Sequence, residues 1–167
     1  SVRQISKRTR YLAASVSPDG KSVAAVRNTV NSKNDLLIID SRNGNIIKEI
    51  QSPSNAYLQK PQWNESGRKI TFISLTRDGE GIILYDVETG EWSTLFEPSN
   101  DDLQSSFFRN DTLFFISSSA GTDNVYLRSP GGEISLLTRS RFGASDLDVS
   151  GKNLLFSRNG GKCRCLC

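Results

Sequence analysis

Ser17-Pro18-Asp19-Gly20-Lys21-Ser22-Val23-Ala24-Ala25-Val26 sets a tight polar turn in front of a short apolar run, and the rest of the chain repeats that order. The turn has a local logic. Pro18 fixes the entry angle, Asp19 accepts bonds from nearby backbone amides, and Gly20 takes the positive φ that other residues resist. A second apolar run, Leu36 to Ile39, ends at Asp40, and Arg42-Asn43-Gly44 turns the chain into Ile46, Ile47 and Ile50. The next copy keeps the sequence of events: Asn64-Glu65-Ser66-Gly67, then Ile70 to Ile73, Ile82 to Tyr85, Asp86, Glu88-Thr89-Gly90, and Trp92, Leu95 and Phe96. A third copy runs through Arg109-Asn110-Asp111, Leu113 to Ile116, Val125 to Leu127, Pro130-Gly131-Gly132, and Ile134, Leu136 and Leu137. A fourth starts at Ser145 to Gly151, reaches Leu154 to Phe156, and then loses the pattern.

Val23, Ile70, Leu113 and Leu154 open the second run of each copy, at intervals of 47, 43 and 41 residues. That spacing is the length of one four-stranded propeller blade, about 40–45 residues. The runs are short, rich in Ile, Leu, Val and Phe, and bounded by Gly, Asn, Asp and Ser, which reads as strands and hairpins. Leu36-Leu37-Ile38-Ile39 and Ile82-Ile83-Leu84-Tyr85 do not alternate with polar residues, as expected of strands covered on both faces. The expected fold is therefore an all-β propeller of four-stranded antiparallel blades. About three and a half blades are present: 11–56, 57–102, 103–143 and a partial 144–158, after a lead-in 1–10 and before an irregular tail 159–167. Val16, Trp63 and Phe107 are expected to be equivalent residues packing one blade on the next. Asp19 is expected to be structural, and Arg128 to stand where the earlier copies have Asp40 and Asp86.

Composition narrows the chemistry. The 167 residues carry 21 Lys+Arg against 18 Asp+Glu, a net charge of +3 with no like-charge block, so nothing marks a nucleic-acid or anionic-membrane surface. No apolar run is long enough to cross a membrane as a helix. There is no His, which excludes Ser/His/Asp and Cys/His catalysis within this chain and every imidazole zinc site. There is no Met, and the chain opens on Ser1, so it reads as a processed or cut-down piece of a longer propeller. Cys163, Cys165 and Cys167 crowd the tail without the paired spacing of a tetrahedral metal site. Asp101-Asp102 and Asp146/Asp148 are acidic pairs of the kind that calcium uses, read here as solvated loop residues, so no metal or cofactor is expected. Gly79-Glu80-Gly81 reads as a loop tip, and Asn110-Asp111-Thr112 matches a glycosylation sequon in form.

Ala14-Ser15-Val16-Ser17-Pro18-Asp19-Gly20-Lys21 and Pro61-Gln62-Trp63-Asn64-Glu65-Ser66-Gly67-Arg68 resemble the blade motif of the TolB-like propellers, also known as WD40-like or PD40 repeats. The hairpins at Asp40 to Gly44 and Asp86 to Gly90, and Leu136-Leu137-Thr138, are similar to that family's too, over residues 11 to about 158. The third and fourth copies depart from it by lacking Pro-Asp-Gly. The resemblance implies a six- to eight-bladed parent, a periplasmic or cell-surface bacterial location, and a non-catalytic adaptor that binds protein, peptide or glycan. Self-association is an alternative way to cover the ends of an incomplete ring. Propellers bind through the loops on their end faces, and here those are 27–35, 74–81, 117–124, 51–56 and 97–102, with Asn34, Arg77, Asp78, Asp101, Asp102, Asp123 and Asn124 as candidate contact residues. A second reading is the substrate-gating propeller of a prolyl-oligopeptidase-like serine peptidase whose catalytic domain lies elsewhere, since no G-x-S-x-G occurs here. A third is a polysaccharide lyase on a similar propeller, which the lack of His disfavours.

Overall fold

The computed structural model describes residues 10–28, 34–150 and 153–158. The start of the lead-in, the loop 29–33 and the tail with Cys163, Cys165 and Cys167 lie outside the described residues. Blade 1 is β1 (Tyr11–Val16), β2 (Ser22–Asn28), β3 (Asn34–Asp40) and β4 (Ile46–Gln51). Blade 2 is β5 (Tyr57–Trp63), β6 (Lys69–Thr76), β7 (Gly79–Asp86) and β8 (Trp92–Ser99). Blade 3 is β9 (Leu103–Arg109), β10 (Thr112–Ser117), β11 (Asn124–Arg128) and β12 (Ile134–Leu136), and β13 (Ala144–Ser150) and β14 (Asn153–Arg158) form a fourth, two-stranded sheet. Every sheet is an antiparallel meander in chain order. A 3-10 turn, Pro53–Asn55, links the first two blades. No helix among the described residues is long and apolar enough to cross a membrane.

The period-2 geometry of strands sends alternate side chains to opposite neighbours, so the core is a series of seams between sheets. Ala24, Val26, Leu36 and Ile38 of blade 1 bury against Leu58, Trp63, Ile70, Phe72, Ile83 and Tyr85 of blade 2. Ile73, Ile82 and Leu84 bury against Leu103, Phe108, Leu113, Phe115 and Tyr126 of blade 3. Ile116 and Val125 then meet Ala144, Leu147 and Leu154 of the last sheet. β7 serves two seams and is buried almost throughout; β3 is buried as fully, its second face closing a cluster of Ala25, Leu37 and Ile39 with Tyr11 and Val23, so neither strand shows polar alternation. The first strands β1, β5, β9 and β13 touch one another in succession, so the sheets fan out from a shared axis. This is the propeller architecture.

The turns behave as their residues require. Asp19 accepts a hydrogen bond from the Ser17 hydroxyl at 2.6 Å and from the Lys21 amide at 3.0 Å. Asp86 accepts from the amides of Glu88 and Thr89 at 2.9 and 3.0 Å. The Ser17 hydroxyl first, then the Lys21 amide, hold the Asp19 carboxyl below its ordinary value near 3.8, and the Thr89 amide does the same for Asp86. A carboxylate depressed in the folded state contributes stability that is present above its unfolded pKa and lost as pH falls through the folded one. Stability should therefore decline as pH drops below about 4, and the D19N/D86N double variant should flatten that decline in a thermal-unfolding series.

Three sequence expectations are corrected by the register. The β9–β10 hairpin is two residues shorter than its counterparts: Phe108 pairs with Leu113, where Trp63 pairs with Ile70 and Val16 with Val23. Asn110 and Asp111, with φ of 46° and 58°, form a two-residue turn of the kind that needs positive φ twice. The Trp63 equivalent is thus Phe108, while Phe107 faces the last sheet. The β11–β12 turn is likewise one residue shorter, so Ser129, not Arg128, stands where Asp40 and Asp86 do, and its hydroxyl accepts the Glu133 amide at 3.2 Å. Gly79-Glu80-Gly81 lies inside β7, where the bulged β8 backbone comes so close that a Cβ on Gly79 would sit 1.9 Å from the Ser99 carbonyl oxygen.

Candidate functional site

Alternating strand directions place the second turn of each blade and the link to the next blade at one end of the fan. Arg77 and Asp78 form the exposed tip of the β6–β7 turn, shorter than the 74–81 loop expected from sequence because β6 and β7 pair up to Thr76 and Gly79. Both help line a cleft of about 750 Å³ with Pro53 to Tyr57, Leu75, Glu97 and Pro98. Asp101 accepts from the Ser99 hydroxyl at 3.2 Å, and the Asp102 amide donates to the Ser118 hydroxyl at 3.0 Å while its carbonyl accepts the Ser118 amide at 3.1 Å. Glu80 caps the same link by accepting the Leu103 amide at 2.8 Å.

Asn34 and Asn124 are corrections. Both are buried at the start of a third strand, 5% and 3% exposed. Asn34 donates its backbone amide to Asn55 Oδ1 and its side-chain amide to the Asn55 carbonyl, at 3.1 Å each, and thereby fixes the link between blades 1 and 2. Asn124 accepts from the Thr138 hydroxyl and the Ser140 amide and donates to the Thr122 carbonyl. Their polar groups are used by the chain itself, as burial demands, and neither presents a surface to a partner.

The feature not foreseen from sequence is a cleft of about 580 Å³ on the axis of the fan. All four first strands wall it, with Ala13 and Ala14, Lys60 to Gln62, Gln104 to Ser106, and Ser145 to Asp148. Each of those strands is bulged, at Leu12, at Lys60-Pro61, at Gln104 and at Asp146-Leu147. Lys60 and Asp146 adopt φ of 47° and 52° there, conformations that cost a non-glycine residue about 1 kcal/mol or more. Bulges re-aim side chains, and here the polar ones line the axis. The Lys60 ammonium donates to the Gln104 carbonyl, the Gln104 amide donates to Asp123 Oδ2 at 2.7 Å, and the Ser157 hydroxyl donates to Asp146 Oδ2 at 2.7 Å. Asp123 therefore reaches the axial cleft through Gln104. Only Pro61, a residue unsuited to a regular ladder, hinted at this in the sequence.

At the opposite end a third cleft, about 530 Å³, is lined by ion pairs, Arg109–Glu65 at 2.9 Å and Lys69–Asp111 at 3.1 Å, that tie blade 2 to blade 3. Among the described residues no three of His, Cys, Asp and Glu come together as a metal-holding group.

No family model and no curated protein matches the sequence. Solved structures do match in fold. TolB from Acinetobacter baumannii superposes with a TM-score of 0.73 at 19% identity over 96% of this chain and 41% of its own. An oligogalacturonate lyase in complex with manganese gives 0.69 at 15% identity over 96% of this chain and 54% of its own. A prolyl endopeptidase gives 0.62 at 20% identity over 89% of this chain and 24% of its own. The chain thus spans about two fifths of the TolB it matches. Among the described residues, its three four-stranded sheets and one two-stranded sheet have the TolB-like, WD40-like β-propeller fold.

Proposed function

We propose that the chain is a non-catalytic recognition module that binds a protein, peptide or glycan segment at its axial cleft and on the adjoining loop end. The observation that carries this reading is the cleft itself: the seams take most of the apolar side chains, whereas three of the bulged strands bring Lys60, Gln62, Gln104, Ser105, Asp146 and Asp148 to one concavity that Ala13 and Ala14 of β1 complete. Such a mixed set of donors and acceptors suits amide and hydroxyl groups of a ligand and fixes its orientation. Arg77 and Asp78 extend the surface outward. The likeness to TolB supports a place in a bacterial envelope. A substrate-gating role beside a separate catalytic domain is the second reading, favoured by the likeness to a prolyl endopeptidase. The chain has no His with which to build a hydrolase triad of its own.

The test is nuclear magnetic resonance mapping with pools of short peptides and oligosaccharides, followed by mass analysis of the same pools. Shifts should gather at Lys60, Gln104 and Asp146, K60E should weaken binding roughly tenfold, as expected for one charge-assisted contact, and every pool member should emerge intact. Perturbation confined to the ion-paired cleft around Lys69 and Arg109, or cleavage of a pool member, would overturn the reading.

A further inference from the structure

We infer that the outer edge of β12 is a docking strand for an extended acidic segment of another polypeptide, which adds antiparallel with its carboxylates ahead of an apolar-x-apolar pair. The inference rests on the register of blade 3 and is independent of the axial cleft. Blade 3 already has its four strands, with β12 outermost. Among the described residues no strand pairs with the far edge of β12, and Ile134, Leu136 and Leu137 stay 47%, 39% and 38% exposed.

The hydrogen-bond register shows what that edge offers. The Ser129 amide donates to the Glu133 carbonyl at 2.9 Å, and the Leu137 amide donates to the Val125 carbonyl at 2.8 Å. Bonded pairs recur at every second residue of an antiparallel ladder, so Leu127 and Ser135 are the bonded pair between those two. Ile134 and Leu136 therefore turn their N–H and C=O groups away from β11, toward the open edge.

The outer strands of blades 1 and 2 guard the same edge. β4 has Lys48 and Glu49 at its centre and is bulged against β3, while β8 carries Pro98 and two bulges. Charges, prolines and bulges are the devices that keep a foreign strand off a sheet. β12 has none of them: it reads Ile-Ser-Leu and pairs with β11 without a bulge. Of the three outer edges, this one is left open to an added strand.

Charge selects the occupant. Arg139 and Arg141 stand exposed just past the end of β12, Arg128 is the cross-strand neighbour of Ile134, and Glu133 marks the start of the strand. Among the described residues none of these three arginines is in an ion pair. An antiparallel partner has its N-terminal end beside Arg139 and Arg141 and its C-terminal end beside Glu133. Its acidic residues therefore come first, and its apolar pair lies opposite Leu136 and Ile134. A second copy of β12 fits less well. With Ile134 opposite the copy's Leu136, Glu133 falls opposite Leu137 and Arg139 opposite Gly131, so no charge is matched.

Two fluorescein-labelled peptides are the probes: Asp-Asp-Ser-Val-Thr-Val-Ser, and the same residues in reverse order. Added to the intact chain, the first should bind about tenfold more tightly by fluorescence anisotropy, because the reversed order sets its carboxylates beside Glu133. Hydrogen exchange read by nuclear magnetic resonance tests the register. In the free chain the Ile134 and Leu136 amides should exchange fast and the Ser135 amide slowly, and the first peptide should slow the two fast ones. Leu136→Pro removes an outward N–H and no ladder bond, a change that edge strands tolerate, so it should abolish binding with circular dichroism unchanged. Arg139→Glu combined with Arg141→Glu alters exposed side chains only, and should erase the preference for residue order whatever Leu136→Pro does to folding. The inference fails if the Ile134 and Leu136 amides are protected in the chain alone, as a dimer through β12 would make them. It fails equally if the arginine variant keeps the preference, or if the reversed peptide binds as tightly as the first.

Discussion

Gly79→Ala should be the most destabilising single-methyl change in the chain. The added Cβ would meet the Ser99 carbonyl oxygen at 1.9 Å and its carbon at 2.5 Å, both backbone atoms that cannot rotate away. Gly79 also sits at φ +113°, which L side chains rarely adopt. Backbone strain of about 1–2 kcal/mol and an overpacking cost of about 1–3 kcal/mol act together, and 3 kcal/mol corresponds to a drop of roughly 6–12 °C in Tm at this size. Gly20→Ala is the control, because Gly20 has φ +71° but no atom within 4 Å of a new Cβ. It should lose only about 1–2 kcal/mol. Differential scanning calorimetry of both variants measures the gap, and equal losses would show that β8 does not press on Gly79.

Trp63→Ala should lose about 3–5 kcal/mol. The indole is 6% exposed within the seam between blades 1 and 2, and its N–H donates to the Ser15 carbonyl at 3.0 Å, a bond that crosses the seam. Its register equivalent in blade 1, Val16, is 60% exposed, so Val16→Ala should change stability by less than about 0.5 kcal/mol. The same logic separates two adjacent phenylalanines. Phe108 is 7% exposed in the seam with blade 2, and Phe107 is half-buried against the last sheet. Phe108→Ala should therefore cost more than Phe107→Ala in urea denaturation, and the opposite order would put the β9–β10 register back to that of the longer hairpins.

Those two phenylalanines also mark where the sequence stopped being legible. The repeat interval, the apolar runs of β3 and β7 and the Asp-bearing turns were readable because each follows from local backbone chemistry or from burial on two faces. Hairpin length was not, since Asn110-Asp111 closes in two residues what Pro18 to Lys21 closes in four, and the shorter closure puts Phe108 rather than Phe107 on the face that Trp63 takes in blade 2. Asn34 and Asn124 read as loop surface because side-chain amides favour loops, but strand starts also need partners for the links that cross them. Bulges were the largest gap. They follow from how four first strands crowd one axis, a tertiary demand that leaves Lys60 and Asp146 at positive φ with no local sequence reason. The axial cleft, and with it most of the candidate site, was invisible for that reason.

The central claim is that the sheets radiate from one axis, because the axial cleft exists only in that arrangement. Pulsed electron paramagnetic resonance on chains with Cys163, Cys165 and Cys167 changed to Ser can measure it directly. One label pair goes on the first strands, at Ala14 and Ser105, and the other on the outer strands of the same two blades, at Ile47 and Ser135. A fan predicts a clearly longer distance for the outer pair than for the inner pair. Equal distances would mean stacked parallel sheets with no shared axis, and would contradict both the propeller and the site built on it.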